Sequence, residues 1–359
     1  MIHLFLHDLK PPRVRVDPDL EFVLRVTFGK GSGAVKGPTS TRQVWRQAWQ
    51  LGLSAPLAER LHAMQWQGNG GVELARKAES LVQRSAHVRE DLEAARGRLE
   101  KAVAGMNVDL VLLDAPVLVS HNQKTHAPRA SDQFVLAAPE QLGEVTVALI
   151  REGFNSQVRD TPRGSEMVFI APEGGALVLE KQLRFVRMVP GGVFVDVACL
   201  KRCGQLVPHA VTDGYGIWRP SQAVRAARCV AQALVEHRFA SECSVPGALL
   251  AAAELGLGTD EDLAFDAYLL LQTDVEHAEF EAWRELMRAL TLGELGSLSN
   301  RARVLLDHAL AAATAPAYRL QLRAQRKAQK WQHDGHVERI AEGLGKVIGR
   351  IRKNKYHAD

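Results

Sequence analysis

The chain has 359 residues, 46% of them hydrophobic and 24% charged, the balance of a packed globular protein with one large domain or two to three smaller ones. No run approaches the roughly 18 uninterrupted apolar residues of a membrane-spanning helix, and four cysteines are too few for a disulfide framework, so the sequence reads as soluble, reduced and cytoplasmic. The net charge of +4 is uneven. Residues 319–355 carry eleven Lys/Arg against Asp334, Glu338 and Glu342, which leaves an acidic body with a basic tail suited to an anionic surface.

The opening MIHLFLHDLKPPRVRVD has neither the charged leader nor the small-residue cleavage site of a signal peptide. The segment 18–28 (PDLEFVLRVTF, with Gly29 following) fits a short helix or a strand. GKGSGAVKGPTST reads as a loop: its glycines lack the strand and the Gly-Lys-Ser/Thr ending of a phosphate-cradling P-loop. Apolar residues then recur at helical spacing over 40–66 (Val44, Trp45, Ala48, Trp49, Leu51) and, in the longest such pattern, over 71–104.

From residue 105 the texture changes. VDLVLLD, QFVLAA, EMVFIA, ALVLEK and VFVDVAC are short and rich in Val, Leu and Phe, as strands are, and PEGG and VPGG separate the last three as antiparallel neighbours. PEQLGEVTVALIREG is framed as a helix by its leading proline and closing glycine. Beyond about 218, segments 219–238, 245–256, 261–273, 276–292 and 298–314 are helical in period. These textures divide the chain into 1–104, 105–217, 218–316 and a tail over 317–359. In the tail Val337, Ile340, Leu344, Val347, Ile348 and Ile351 form an apolar stripe whose default is docking on the body.

VDLVLLDAPVL, PRASDQFVLAAPEQLGEVTVALIREGF and GGVFVDVACL resemble, in order and pattern, the uncharacterised nucleotidyltransferase family, a branch of the polymerase-β-like nucleotidyltransferase fold. LAFDAYLLLQTDVEHAEFEAWRELM resembles its C-terminal helices. The resemblance implies an α+β fold: a nucleotidyltransferase-like mixed sheet flanked by N-terminal helices and a C-terminal helical region. It also implies Mg²⁺, an NTP, and an acceptor or protein partner that it does not identify.

The family motif is Arg-x-x-Ser-Asp-x-Asp. Two carboxylates at i and i+2 of a strand share a face and can hold two metal ions, and a third on a neighbouring strand completes the site. Arg129, Ser131 and Asp132 stand at the motif positions. The second carboxylate position is Phe134, and the family's turn Lys-Gly is replaced by Asp114 and Ala115. Asp196 or Glu180 is the third carboxylate. The resemblance thus implies Asp132, Asp196 and Glu180 as catalytic groups, Asp132 and Asp196 as metal ligands, and Ser131, Arg129, Lys124 and Asp114 around the nucleotide. Asp114 is also a candidate replacement for the missing ligand. The order of elements requires the strands holding Asp132 and Asp196 to pair in one sheet, and separate sheets would remove the family reading. With one carboxylate gone, Mg²⁺ is expected to bind weakly. Two functions stay open: a weakened or inactive enzyme transferring a nucleotidyl group to an unidentified acceptor, or a non-catalytic binding or accessory protein of a biosynthetic pathway.

Other residues carry less. His121, Lys124, His126 and Arg129 form a loop that either meets phosphates or is simply solvated. Cys199 and Cys203, with His209, Cys229, His237 and Cys243 further on, lack the paired knuckles of a zinc site, and free thiols explain them better. Trp218 and Trp283 are expected to pack between helices.

Overall fold

A computed structural model describes residues 11–29, 36–68, 70–113, 132–161, 164–180, 183–184, 194–231, 233, 245–272, 275–315, 317–318 and 320–321. The apolar stripe of the tail lies outside them.

Three helices open the chain: α1 (Pro18–Phe28), α2 (Thr41–Gln50) and α3 (Ser54–Ala63). The ambiguous 18–28 segment is helical because Asp17 caps it, accepting from the Leu20 amide at 2.8 Å, with Pro18 in the first turn. α4 (Gly71–Val103) follows with 33 residues, about 50 Å long at ~1.5 Å per residue.

The α/β part comprises β1 (Asp109–Leu113), β2 (Asp132–Ala137), α5 (Leu142–Arg151), β3 (Asn155–Thr161), β4 (Gly164–Ile170), β5 (Ala176–Glu180), β6 (Leu183–Arg184), β7 (Phe194–Val195), α6 (Val197–Arg202), β8 (Leu206–Thr212) and β9 (Tyr215–Pro220). Seven strands form one mixed sheet in the order β3-β4-β5-β2-β1-β9-β8; β6 and β7 pair separately. β4 and β5 are antiparallel neighbours, as their sequence suggests, and β2 runs parallel to β5. Helices α7 (Gln222–Ala231), α8 (Val245–Glu254), α9 (Glu261–Leu271), α10 (His277–Leu292) and α11 (Asn300–Thr314) complete the described fold. No helix among the described residues is long and apolar enough to cross a membrane.

Each face of the sheet is buried differently. Val135, Ala137, Leu177 and Leu179 pack under Val145 and Leu149 of α5 and under Ala95, Leu99 and Val103 of α4. Phe134, Leu136, Ala176 and Val178 face a second core shared with α1–α3 and α7–α11. The first half of α4 joins that second core through Leu74, Ala78 and Leu81, so one helix ties both cores together. At about 1.5–3 kcal/mol per fully buried aliphatic side chain, this double anchoring is a large share of what holds the sheet to the helical body. The N- and C-terminal helical segments therefore share one core, and the 217/218 boundary falls inside β9.

The crossing of α4 over the sheet depends on Gly175. A Cβ there would sit 2.2 Å from the Asp91 carbonyl oxygen, so no other residue fits the turn between β4 and β5. Next to it Arg98 of α4 forks onto both Glu173 oxygens, with Nε 2.8 Å from each, and reaches the Glu152 carbonyl at 3.2 Å. The hydrogen bond from Arg98 holds the Glu173 carboxyl below its ordinary range, and the same bond raises the guanidinium.

Trp283 packs inside the helical core, 1% exposed. Trp218 does not pack between helices: it lies on β9, and its Nε1 donates to Asp109 Oδ1 at 2.7 Å.

Candidate functional site

Asp132 is the first residue of β2. Ser131, Arg129, Lys124, Asp114, His121 and His126 lie outside the described residues. The strand register fixes where the remaining candidates stand. Asp132 is opposite Ala176, Phe134 opposite Val178, and Leu136 opposite Glu180. Asp132 and Glu180 therefore occupy opposite ends of a parallel pair. Four residues separate them along the strands, about 13 Å at ~3.3 Å per residue. Metal–oxygen bonds of about 2.1 Å cannot close that gap around one ion.

Phe134, at the second carboxylate position, is 2% exposed. It contributes to the core shared with the helices, and the guanidinium carbon of Arg228 lies 5.8 Å from its ring centroid.

Asp196 overturns a further expectation. VFVDVAC is not a strand throughout: β7 holds only Phe194 and Val195, and it pairs with β6 rather than with the seven-stranded sheet. Asp196 follows as the N-cap of α6, its Oδ1 accepting from the Cys199 amide at 2.7 Å. A carboxylate at that place satisfies an otherwise open helix donor. The strand bearing Asp132 and the strand preceding Asp196 thus lie in separate sheets, the outcome that removes the family reading. Glu180, the competing carboxylate, does sit on a strand of the same sheet as Asp132 and is buried.

Cys243 and His237 lie outside the described residues, and Cys199 and Cys203 form no disulfide. Cys199 is half-buried and Cys203 exposed one turn later; burial, then the Cys203 thiol, pushes the Cys199 thiol up. His209 is engaged elsewhere, with Nε2 3.3 Å from Glu100. Among the described residues no three His, Cys, Asp or Glu side chains gather as a metal-binding group.

Two polar clusters sit where sequence reasoning names nothing. Gln133, beside Asp132 but on the opposite sheet face, is 3% exposed. Arg96 Nε donates to its side-chain oxygen at 2.8 Å, and its amide nitrogen donates to the Phe134 carbonyl at 2.9 Å and to that of Leu113. At the other side of β1, Lys201 Nζ of α6 stands 2.8 Å from Asp109 Oδ2 and donates to the Gly214 carbonyl at 2.7 Å. It also lies 5.0 Å from the Trp218 ring centroid and 5.2 Å from that of Tyr215. This aromatic and acidic cage is filled by the chain's own lysine, so it fastens α6 to the sheet. The one sequence signal for it is an acid, Asp109, heading an otherwise apolar strand.

No family model matches the chain, and neither curated proteins nor solved structures give a match.

Proposed function

We propose that this protein is a non-catalytic binding or accessory protein on a mixed α/β scaffold, and that it does not perform metal-dependent nucleotidyl transfer. The observation that carries the reading is Phe134, which is 2% exposed at the place of the second metal-holding carboxylate. A buried aromatic ring supplies no oxygen to a cation, and hard ions such as Mg²⁺ take oxygen ligands. The capping role of Asp196 and the four-residue offset between Asp132 and Glu180 support the same reading. A weakened transferase is the competing reading, favoured by Glu180 lying on the strand next to that of Asp132.

The test is pyrophosphate release from each of ATP, CTP, GTP and UTP, with Mg²⁺ or Mn²⁺ and a lysate as source of acceptor. The expected result is no release above that of Asp132→Ala. Release by the wild-type chain that Asp132→Ala abolishes would establish the transferase instead.

A further inference from the structure

The extended segment 11–17, α1, the turn after α10 and the start of α11 enclose an open cleft of about 530 Å³. Four arginines line it, Arg13, Arg15, Arg25 and Arg303, against one acid, Glu21. Val14 and Val16 supply an apolar wall and are partly buried against the main core. The segment is tied to α11 through the Val14 amide, which donates to Asp307 Oδ1 at 3.3 Å.

Among the described residues, carboxylates pair with two of the four arginines. Arg25 Nε is 2.8 Å from Glu21, and Arg303 Nε is 3.8 Å from Asp307. Arg13 and Arg15 are exposed and form no ion pair among the described residues. Arg25 also reaches the turn after α10, where a terminal guanidinium nitrogen donates to the Gly293 carbonyl at 3.5 Å. With Glu21 and Asp307 set against Arg25 and Arg303, the positive charges of Arg13 and Arg15 remain on this concave wall, and an anion compensates them. Guanidinium forks match phosphate oxygens in pairs. The volume falls within the roughly 300–1,000 Å³ of small-molecule sites.

We propose that this cleft binds a small organic phosphate carrying at least two negative charges. Arg13 and Arg15, with Arg25 and Arg303 behind them, hold the phosphate, and the organic part lies over Val14 and Val16. No residue lining the cleft belongs to β2, and the proposal holds whether or not the chain transfers nucleotidyl groups.

The probes are inorganic phosphate, pyrophosphate, AMP and adenosine, titrated calorimetrically into the full chain at low and physiological salt. Because the basic tail also attracts anions, the double variant R13A/R15A locates the site. Both residues are exposed, so its melting temperature without ligand should match the wild type. AMP should bind, more tightly than inorganic phosphate, and adenosine should not. R13A/R15A should weaken AMP about tenfold or more, equivalent to ~1.4 kcal/mol, and binding should weaken with salt. No AMP binding at low salt, or equal binding by wild type and R13A/R15A, overturns the proposal. So does single-stranded RNA that binds far more tightly than AMP and loses its affinity in R13A/R15A, which would make the cleft a nucleic-acid contact.

Discussion

Arg96 donates from α4 into the side-chain oxygen of Gln133, at 2.8 Å from Nε, in a place where Gln133 is 3% exposed. The amide nitrogen of the same side chain closes on the carbonyls of Leu113 and Phe134. One glutamine thus ties the helix to the ends of two strands. Replacing it with leucine removes the bond from Arg96 and the two buried bonds to backbone carbonyls. An unsatisfied buried polar group costs about 1–3 kcal/mol, so Gln133→Leu should lower the urea midpoint accordingly. A variant as stable as the wild type would show that the latch contributes nothing net.

Acid should loosen α4 through Glu173. The hydrogen bond from Arg98 comes first among the causes that hold this carboxyl below its ordinary range. A depressed folded value means the linkage stabilises the fold above the unfolded carboxylate value, about 4.3, and is lost as pH falls through the lower folded one. The pair of exposed Glu261 with largely covered Arg284 adds in the same direction, since the hydrogen bond from Arg284 lowers Glu261. The difference in thermal midpoint between wild type and Glu173→Gln should be full at pH 6, start to shrink below about pH 4.3, and vanish once the pH lies below the lower folded value. A constant difference across that range would refute the linkage.

The helices were the readable part of this sequence. α10 and α11 repeat apolar residues every three or four positions, and Trp283, Leu286, Leu290, Leu306 and Leu310 fall in the core as that period requires. β4 and β5 were legible because five successive buried residues, Ala176 to Glu180, follow a Gly-Gly turn. β3 and β8 were not. NSQVRDT is polar, and LVPHAVT contains Pro208 and is exposed along most of its length, so neither edge strand shows an alternating buried face. The segment around Asp196 failed for a different reason. Short apolar runs do not separate strand from helix, and the deciding contact is a cap on the Cys199 amide. Gln133 gave no signal because its partner, Arg96, is 37 positions away. Nothing in the apolar strand QFVLAA distinguishes a buried glutamine from one at a solvated edge.

Asp196 should behave as a cap and not as a metal ligand. Losing an N-cap side chain costs about 0.5–2 kcal/mol, while Asn and Ser cap nearly as well as Asp. Asp196→Ala should therefore lower the urea midpoint, and Asp196→Asn should restore most of it. A metal ligand would give the opposite ranking in a Mn²⁺ titration, because the Asn amide carries no charge. If Asn proves as damaging as Ala, and both abolish Mn²⁺ binding, the capping account is wrong.

Placing a carboxylate at Phe134 is the sharpest test of the scaffold. In an open metal site Phe134→Asp would complete the i, i+2 pair with Asp132 and strengthen Mg²⁺ binding. The structure gives the substitution a different outcome. Phe134 is 2% exposed and shares its core with Leu136, Val178 and Val111. Removing such a ring costs about 3–5 kcal/mol through lost transfer energy and the cavity left behind. A carboxylate in the same place adds the penalty of a buried charge. Arg228, 5.8 Å from the ring, offsets part of that penalty only by turning toward the new group, and the cavity remains. Phe134→Asp should therefore lose at least about 3 kcal/mol in denaturant unfolding and gain no Mg²⁺ affinity. Phe134→Leu, which keeps an apolar side chain in the core, should lose markedly less. A Phe134→Asp chain that keeps wild-type stability and binds Mg²⁺ tightly would show that the end of β2 is a metal site lacking one ligand, and would return the transferase reading to first place.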